Sequence, residues 1–112
     1  MESKIYEIRY SSQVAQTLLE IRDYIFEISK SENIADKNIE KIIKGIEVLK
    51  LFPEAGFNAD KKFGKKIDEK RSIRGITLKK NYIALYDIDD KNFVVNIRYL
   101  LATKSDYMKL FK

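Results

Sequence analysis

The sequence predicts an α+β domain in the order β-α-α-β-β-β, closed by a short C-terminal helix. Three observations carry this. Apolar residues recur at steps of three and four over residues 13–29 and again over 34–51, the spacing of a single helix face. Past residue 70 the pattern changes to β-branched and aromatic runs at 71–78, 82–88 and 93–101. Short polar turns, Lys79-Lys80-Asn81 and Asp89-Asp90-Lys91-Asn92, separate those runs. Helices that precede most of the strands indicate an α+β rather than an alternating α/β arrangement.

Each element has its own warrant. Residues 5–10 are aromatic and β-prone, so they read as a strand, and Ser11 or Ser12 offers a hydroxyl to cap the helix that follows. In that helix Val14, Leu18, Ile21, Ile25 and Ile28 form the buried face, widened by Leu19, Tyr24 and Phe26. A polar break at 29–33 leads to the second helix. There Ala35, Ile39, Ile42, Ile46 and Leu49 form the stripe, with Ile43 beside it, and Lys37, Lys41, Lys44 and Lys50 lie off it. So short a connection predicts an antiparallel helical hairpin covering one face of a small sheet. Gly45 costs the second helix about 1 kcal/mol relative to alanine, which predicts a close approach at that point.

Phe52-Pro53-Glu54-Ala55-Gly56 ends the helix, because proline excludes the α conformation for the residue before it. Gly56 is expected to take a positive φ. Residues 57–70 are polar and aperiodic and read as a loop carrying Lys61, Lys62, Lys65, Lys66 and Lys70, diluted by Asp60, Asp68 and Glu69 and pinned by Phe57 and Phe63. In 71–78, Ile73, Ile76 and Leu78 are the inward members, and Gly75 hints at a bulge. The hairpin of 82–88 and 93–101 is the expected centre of the sheet, its other face concave and partly open. The tail predicts a helix capped by Thr103 or Ser105 and docked by Tyr107, Leu110 and Phe111.

Composition narrows the chemistry. A chain of 112 residues with 45% hydrophobic content makes one domain, 1–112. It has no cysteine and no histidine. Disulfide frameworks, Ser-His-Asp and Cys-His catalysis are excluded, and a zinc site is not expected. Asp87, Asp89 and Asp90 lack the glycine and distal glutamate of a calcium loop and read as turn residues, so neither metal nor cofactor is predicted. The N-terminal stretch has no long apolar run, so no membrane span is expected and a cytoplasmic protein is the default. The net charge of +5 fits either an anionic partner or ordinary charge scatter.

Several motifs taken together resemble the RelE/ParE superfamily of bacterial type II toxin-antitoxin toxins. They are Tyr10-Ser11 at the first helix, Phe52-Pro53-Glu54-Ala55-Gly56 after the second, Asn81-Tyr82-Ile83-Ala84-Leu85-Tyr86 followed by Ile88-Asp89, and the terminal Asp106-Tyr107-Met108. The resemblance spans residues 5–111. It implies a small twisted antiparallel sheet packed on a helical hairpin, and a cognate antitoxin whose acidic C-terminal segment wraps and neutralises the toxin. ParE-like members inhibit DNA gyrase. RelE-like members enter the ribosomal A site and cleave mRNA.

RNA cleavage needs groups that activate the 2′-hydroxyl, protonate the leaving oxygen and stabilise the phosphorane. RelE-like nucleases place an arginine directly after the tyrosine that opens the central strand, where this chain has Ile83. Where some relatives end the last strand in His-Tyr, Leu100 and Leu101 stand nearby. Where others have Gly-Arg-Arg, this chain has Thr103-Lys104-Ser105. The reading that follows is a growth inhibitor acting by binding a target such as gyrase. The alternative is a ribosome-dependent, metal-independent endoribonuclease. No catalytic residue is assigned outright: the candidates are Arg74, Lys80, Arg98 and Tyr107. Target contacts fall to Arg71, Arg74, Lys79, Lys80, Arg98 and Lys104. Arg98 interrupts an apolar strand and is expected to face away from Ile97, although a one-residue shift of register would reverse it.

Overall fold

The computed structural model describes residues 5–79 and 81–102. Its elements are β1 (Glu7–Tyr10), α1 (Ser12–Ser29), α2 (Glu32–Glu47), a 3-10 turn (Val48–Lys50), β2 (Phe57–Asn58), α3 (Ala59–Phe63), β3 (Arg74–Leu78), β4 (Tyr82–Asp89) and β5 (Val94–Ala102). The strands form one sheet in the order β1-β5-β4-β3-β2. The expected C-terminal helix, with Tyr107, Leu110 and Phe111, lies outside the described residues.

Serine caps start both long helices. The Ser11 hydroxyl accepts from the Val14 amide at 3.1 Å, and Ser31 accepts from Ile34 at 3.2 Å. Ser11 also donates to the Arg98 carbonyl at 3.0 Å, across 87 residues of sequence, and so ties the start of α1 to β5. Lys30 ends α1 in the left-handed conformation at φ 55°, and its amide returns to the Phe26 carbonyl.

The pairing of β3, β4 and β5 is antiparallel, but β1 runs parallel to β5. The sheet is therefore mixed rather than wholly antiparallel. Turns between neighbouring strands dictate the antiparallel part. The direction of β1 follows from a partner more than eighty residues away, which no local pattern encodes.

Two cores flank the sheet. On one face Val14, Ile42, Ile46 and Leu49 pack against Ala84, Tyr86, Val95, Ile97 and Leu100. On the other, Ala59, Ile73, Ile83, Leu85 and Leu101 form a second cluster with Phe57, Phe63 and Ile67. The second face is thus largely covered, not open. The segment read as a loop folds back over it, because the Asp60 carboxylate accepts from the amides of Ile67 (3.0 Å) and Ile73 (3.1 Å). The rings of Phe57 and Phe63 meet edge-on at 6.3 Å and pin it, as their placement in the sequence suggested. Central β4 is consequently buried on both sides from Ile83 to Asp87.

The expected face of α1 is too wide. Leu19, Tyr24 and Ile28 are 57%, 66% and 67% exposed. Leu19 and Tyr24 lie off the Val14-Leu18-Ile21-Ile25 stripe. Ile28 is on the stripe, but α1 has 18 residues, about 27 Å at 1.5 Å per residue, and its start is tied to the middle of β5, with only half of that strand beyond the tie. The last turn outruns the sheet.

Glycines act here through space. A Cβ on Gly45 would stand 2.8 Å from the Leu78 side chain, so α2 approaches the sheet there. Gly75 marks no bulge: β3 pairs regularly with β4, and the glycine makes room for the Phe57 ring. Gly56 is not left-handed, the only such glycine among the described residues being Gly64. A Cβ on Gly56 would strike the Gly75 carbonyl and the Tyr86 hydroxyl.

That hydroxyl fastens the turn after α2. Tyr86 donates to the Pro53 carbonyl at 2.8 Å and accepts from the Gly56 amide at 3.0 Å. Tyr86→Phe leaves the buried Gly56 amide unpaired and is expected to cost about 1–3 kcal/mol, measured by urea unfolding. A midpoint unchanged from wild type would show that water replaces the hydroxyl.

Candidate functional site

The site is built on a buried carboxylate. Asp87 alternates in phase with Ile83 and Leu85 on β4, so it points to the second face, and it is 1% exposed. Arg98 Nε lies 3.2 Å from its Oδ2, Asn96 Nδ2 donates to its Oδ1 at 3.0 Å, and Arg71 Nη1 lies 3.6 Å from the same oxygen. Arg98 Nη1 reaches further, to Asp68 Oδ2 at 2.7 Å.

A β-bulge makes this geometry. Leu85 pairs with Tyr99 and Tyr86 with Ile97, so Arg98 is the extra residue of β5. Ile97 is buried in the helix-side core while Arg98 turns to the opposite face.

A cleft of about 570 Å³ opens beside this network, bounded by Arg9 and Tyr10 of β1, Ser12 and Gln13 of α1, and Asn96 and Arg98 of β5. Its charges are balanced internally. Arg9 pairs with Glu7 at 2.7 Å, Arg98 with Asp87 and Asp68, and Arg71 with Asp87. Burial and the Glu47 charge push the Tyr10 hydroxyl pKa above its usual 10.0, which makes it a poorer acid near neutrality. Such a cleft offers donors for recognition more readily than groups for proton transfer.

Asp68 is a titratable clasp of the segment over the second face. Hydrogen bonds from the Lys70 amide, the Arg98 guanidinium and the Arg71 amide hold its pKa below the usual 3.8. A depressed carboxylate pKa adds stability that is fully present above the unfolded value and lost as pH falls through the folded one. Protection of the Lys70 and Arg71 amides, taken as exchange relative to the intrinsic rate at each pH, is therefore expected to fall only below about pH 4. In Asp68→Asn that acid limb should vanish; its persistence would assign it to another group.

The remaining sequence candidates are dispersed. Arg74 Nη2 donates to the carbonyls of Glu54 (3.0 Å) and Gly56 (2.6 Å), holding the same turn as Tyr86. It shares a second cleft of about 550 Å³ with Lys70, Arg71 and Asp90. Lys79 is left-handed at φ 54°, in the turn before β4. Desolvation and the nearby Lys41 charge lower its pKa. Lys80, Lys104 and Tyr107 lie outside the described residues. Asp89 accepts from both the amide (3.1 Å) and the side chain (2.9 Å) of Asn92, which makes it a turn residue. Among the described residues no group of acidic side chains is arranged to hold a metal ion. Sequence reasoning missed Asp87 and Asp68 as partners of Arg98, and Asn96 as the further donor to Asp87. A signal for two of them was present: Asp87 is in phase with Ile83 and Leu85, and Asn96 is two residues before Arg98, so the two strands place polar groups opposite each other.

The sequence matches, over residues 8–107, the family described as the ParE toxin of the type II toxin-antitoxin system parDE. The chain belongs to the ParE toxin family. It is a type II toxin, and a toxin of this class has a cognate antitoxin. The fold of this ParE-family chain is similar to that of a solved structure titled "Chromosomal ParDE TA system from P. aeruginosa", with a TM-score of 0.67, 15% identity, and coverage of 89% of this chain and 98% of that one. No curated protein matches the sequence. Among the described residues no helix is long and apolar enough to cross a membrane.

Proposed function

We propose that this ParE-family toxin arrests growth in the cytoplasm by binding DNA gyrase, without cleaving RNA. The observation that carries this reading is the fate of the position after Tyr82. Ile83 is 5% exposed and packs into the second core beneath residues 59–73. That position offers no cation to a phosphate. Arg98 on the neighbouring β5 is already committed to two carboxylates. Stabilising a phosphorane calls for cationic donors aimed at the oxygens where charge develops.

The cognate antitoxin is read as a largely disordered chain with an acidic C-terminal segment that folds on this basic toxin. An open apolar groove of about 510 Å³ at Leu51, Phe52, Pro53 and Ala55 supports this, with Leu51 57% and Phe52 63% exposed. The deciding experiment assays purified toxin in two ways: gyrase supercoiling, and primer extension on translated mRNA. Loss of supercoiling with intact mRNA is expected. Codon-positioned cuts with normal supercoiling would overturn the proposal in favour of a metal-independent, ribosome-dependent endoribonuclease.

A further inference from the structure

The segment from α3 to β3 is more positive at its surface than its sequence suggests. Lys61, Lys62, Lys65, Lys66 and Lys70 are interspersed there with Asp60, Asp68 and Glu69. The fold turns two of those three carboxylates inward. Asp60 accepts from the amides of Ile67 and Ile73. Asp68 accepts from the amides of Lys70 and Arg71 and takes the Arg98 guanidinium at 2.7 Å. Among the described residues none of the five lysines makes an ion pair, and all five are exposed. The Lys62 ammonium sits 4.5 Å from the centroid of the Phe57 ring, which steadies the side chain without neutralising it. Glu69 is the one carboxylate of the segment not engaged in this way. With Asp68 offset by Arg98, five cations thus stand against Glu69 and the half-buried Asp60 on a segment anchored by Asp60, Phe57 and Phe63.

We infer that this lysine surface binds the phosphodiester backbone of duplex DNA. Lysines are compact point charges on flexible stems, suited to a regular array of phosphates and indifferent to base sequence. An acidic peptide that folds on binding needs apolar surface to offset its ordering. That surface is elsewhere, at Leu51 and Phe52, whereas Phe57, Phe63 and Ile67 are turned into the second core. The inference stands apart from the choice of gyrase as target, since it concerns DNA with no other protein present.

The test is fluorescence anisotropy of the full chain with labelled duplex of about 20 base pairs, with single-stranded RNA of equal length, and with polyglutamate. Duplex affinity is expected to fall by roughly 500-fold between about 50 and 200 mM salt if all five lysines engage phosphates, at a log–log slope of about −0.9 for each. In Lys65→Gln/Lys66→Gln the slope should become shallower by about 2 units, with circular dichroism and Tm unchanged. Lys37→Gln/Lys44→Gln, on the exposed side of α2, should bind as wild type does. Absence of duplex binding at about 50 mM salt, or an unaltered slope in the Lys65/Lys66 variant, would overturn the inference. So would tighter binding of RNA or polyglutamate than of duplex. Because gyrase is absent, a negative result leaves the supercoiling assay as a separate test of the target.

Discussion

Arg98→Ala is expected to lower stability by about 3 kcal/mol, read as the drop in urea midpoint at constant m-value. The loss comes from what the arginine leaves behind. Asp87 is buried in β4, and without Arg98 it retains only Asn96 at 3.0 Å and Arg71 at 3.6 Å. Removing one partner of a buried pair strands the other charge in a poorly solvating interior. Asp68 also loses its side-chain donor, releasing the segment that covers the second core. Replacing both charges has a different outcome. Asp87→Asn/Arg98→Gln removes the buried charge with its partner and is expected to recover most of the loss.

The double variant also separates the two roles of Arg98. If the arginine acts only as a clasp, toxicity returns together with stability. If its guanidinium touches the target, stability returns and toxicity does not. A single Arg98→Ala variant as stable as wild type would show that water already solvates Asp87, contrary to its 1% exposure.

Ile42→Asp is expected to unfold the protein. Ile42 is 1% exposed and stands in the core between the helical hairpin and the sheet. No cation in that core can pair with a carboxylate, so the aspartate is buried uncompensated or must take up a proton. Either outcome costs about 4–5 kcal/mol or more, a large share of the roughly 5–15 kcal/mol that holds a small domain folded. Circular dichroism at 25 °C and gel filtration provide the measurement. The control is Ile28→Asp, at a position 67% exposed, which should change stability by no more than about 0.5 kcal/mol. A folded Ile42→Asp variant would sink the assignment of the α2 face.

The contrast between Ile28 and Ile42 shows where the sequence is legible. Both occupy helical stripes of the same periodicity, and periodicity reports which residues share a face. It does not report where the neighbouring layer ends. Ile42 lies in the core against the sheet, whereas Ile28, in the last turn of α1, is 67% exposed. The segment after α2 looks like a loop in the sequence for a related reason. Its polar composition hides that Asp60 spends its carboxylate on two of its own backbone amides, and that Phe57 and Phe63 close on each other over Leu85 and Ile83. Arg98 stood out in the sequence as an interruption of an apolar strand, but its acceptors come from β4 and from a loop 30 residues earlier.

By itself, then, the sequence determined the α+β class, the helical hairpin, the central strands and the resemblance that places the chain among the RelE/ParE toxins. Those features rest on local periodicity, caps and turn chemistry, which neighbouring residues decide among themselves. Only the tertiary structure decided the parallel pairing of β1, the bulge at Arg98, the closure of the second face and the inward turn of Asp60 and Asp68. Each of these depends on partners far apart in the chain, brought together by burial and by the requirement that buried charges and amides be paired. That same requirement leaves the five lysines beyond α2 unneutralised at the surface.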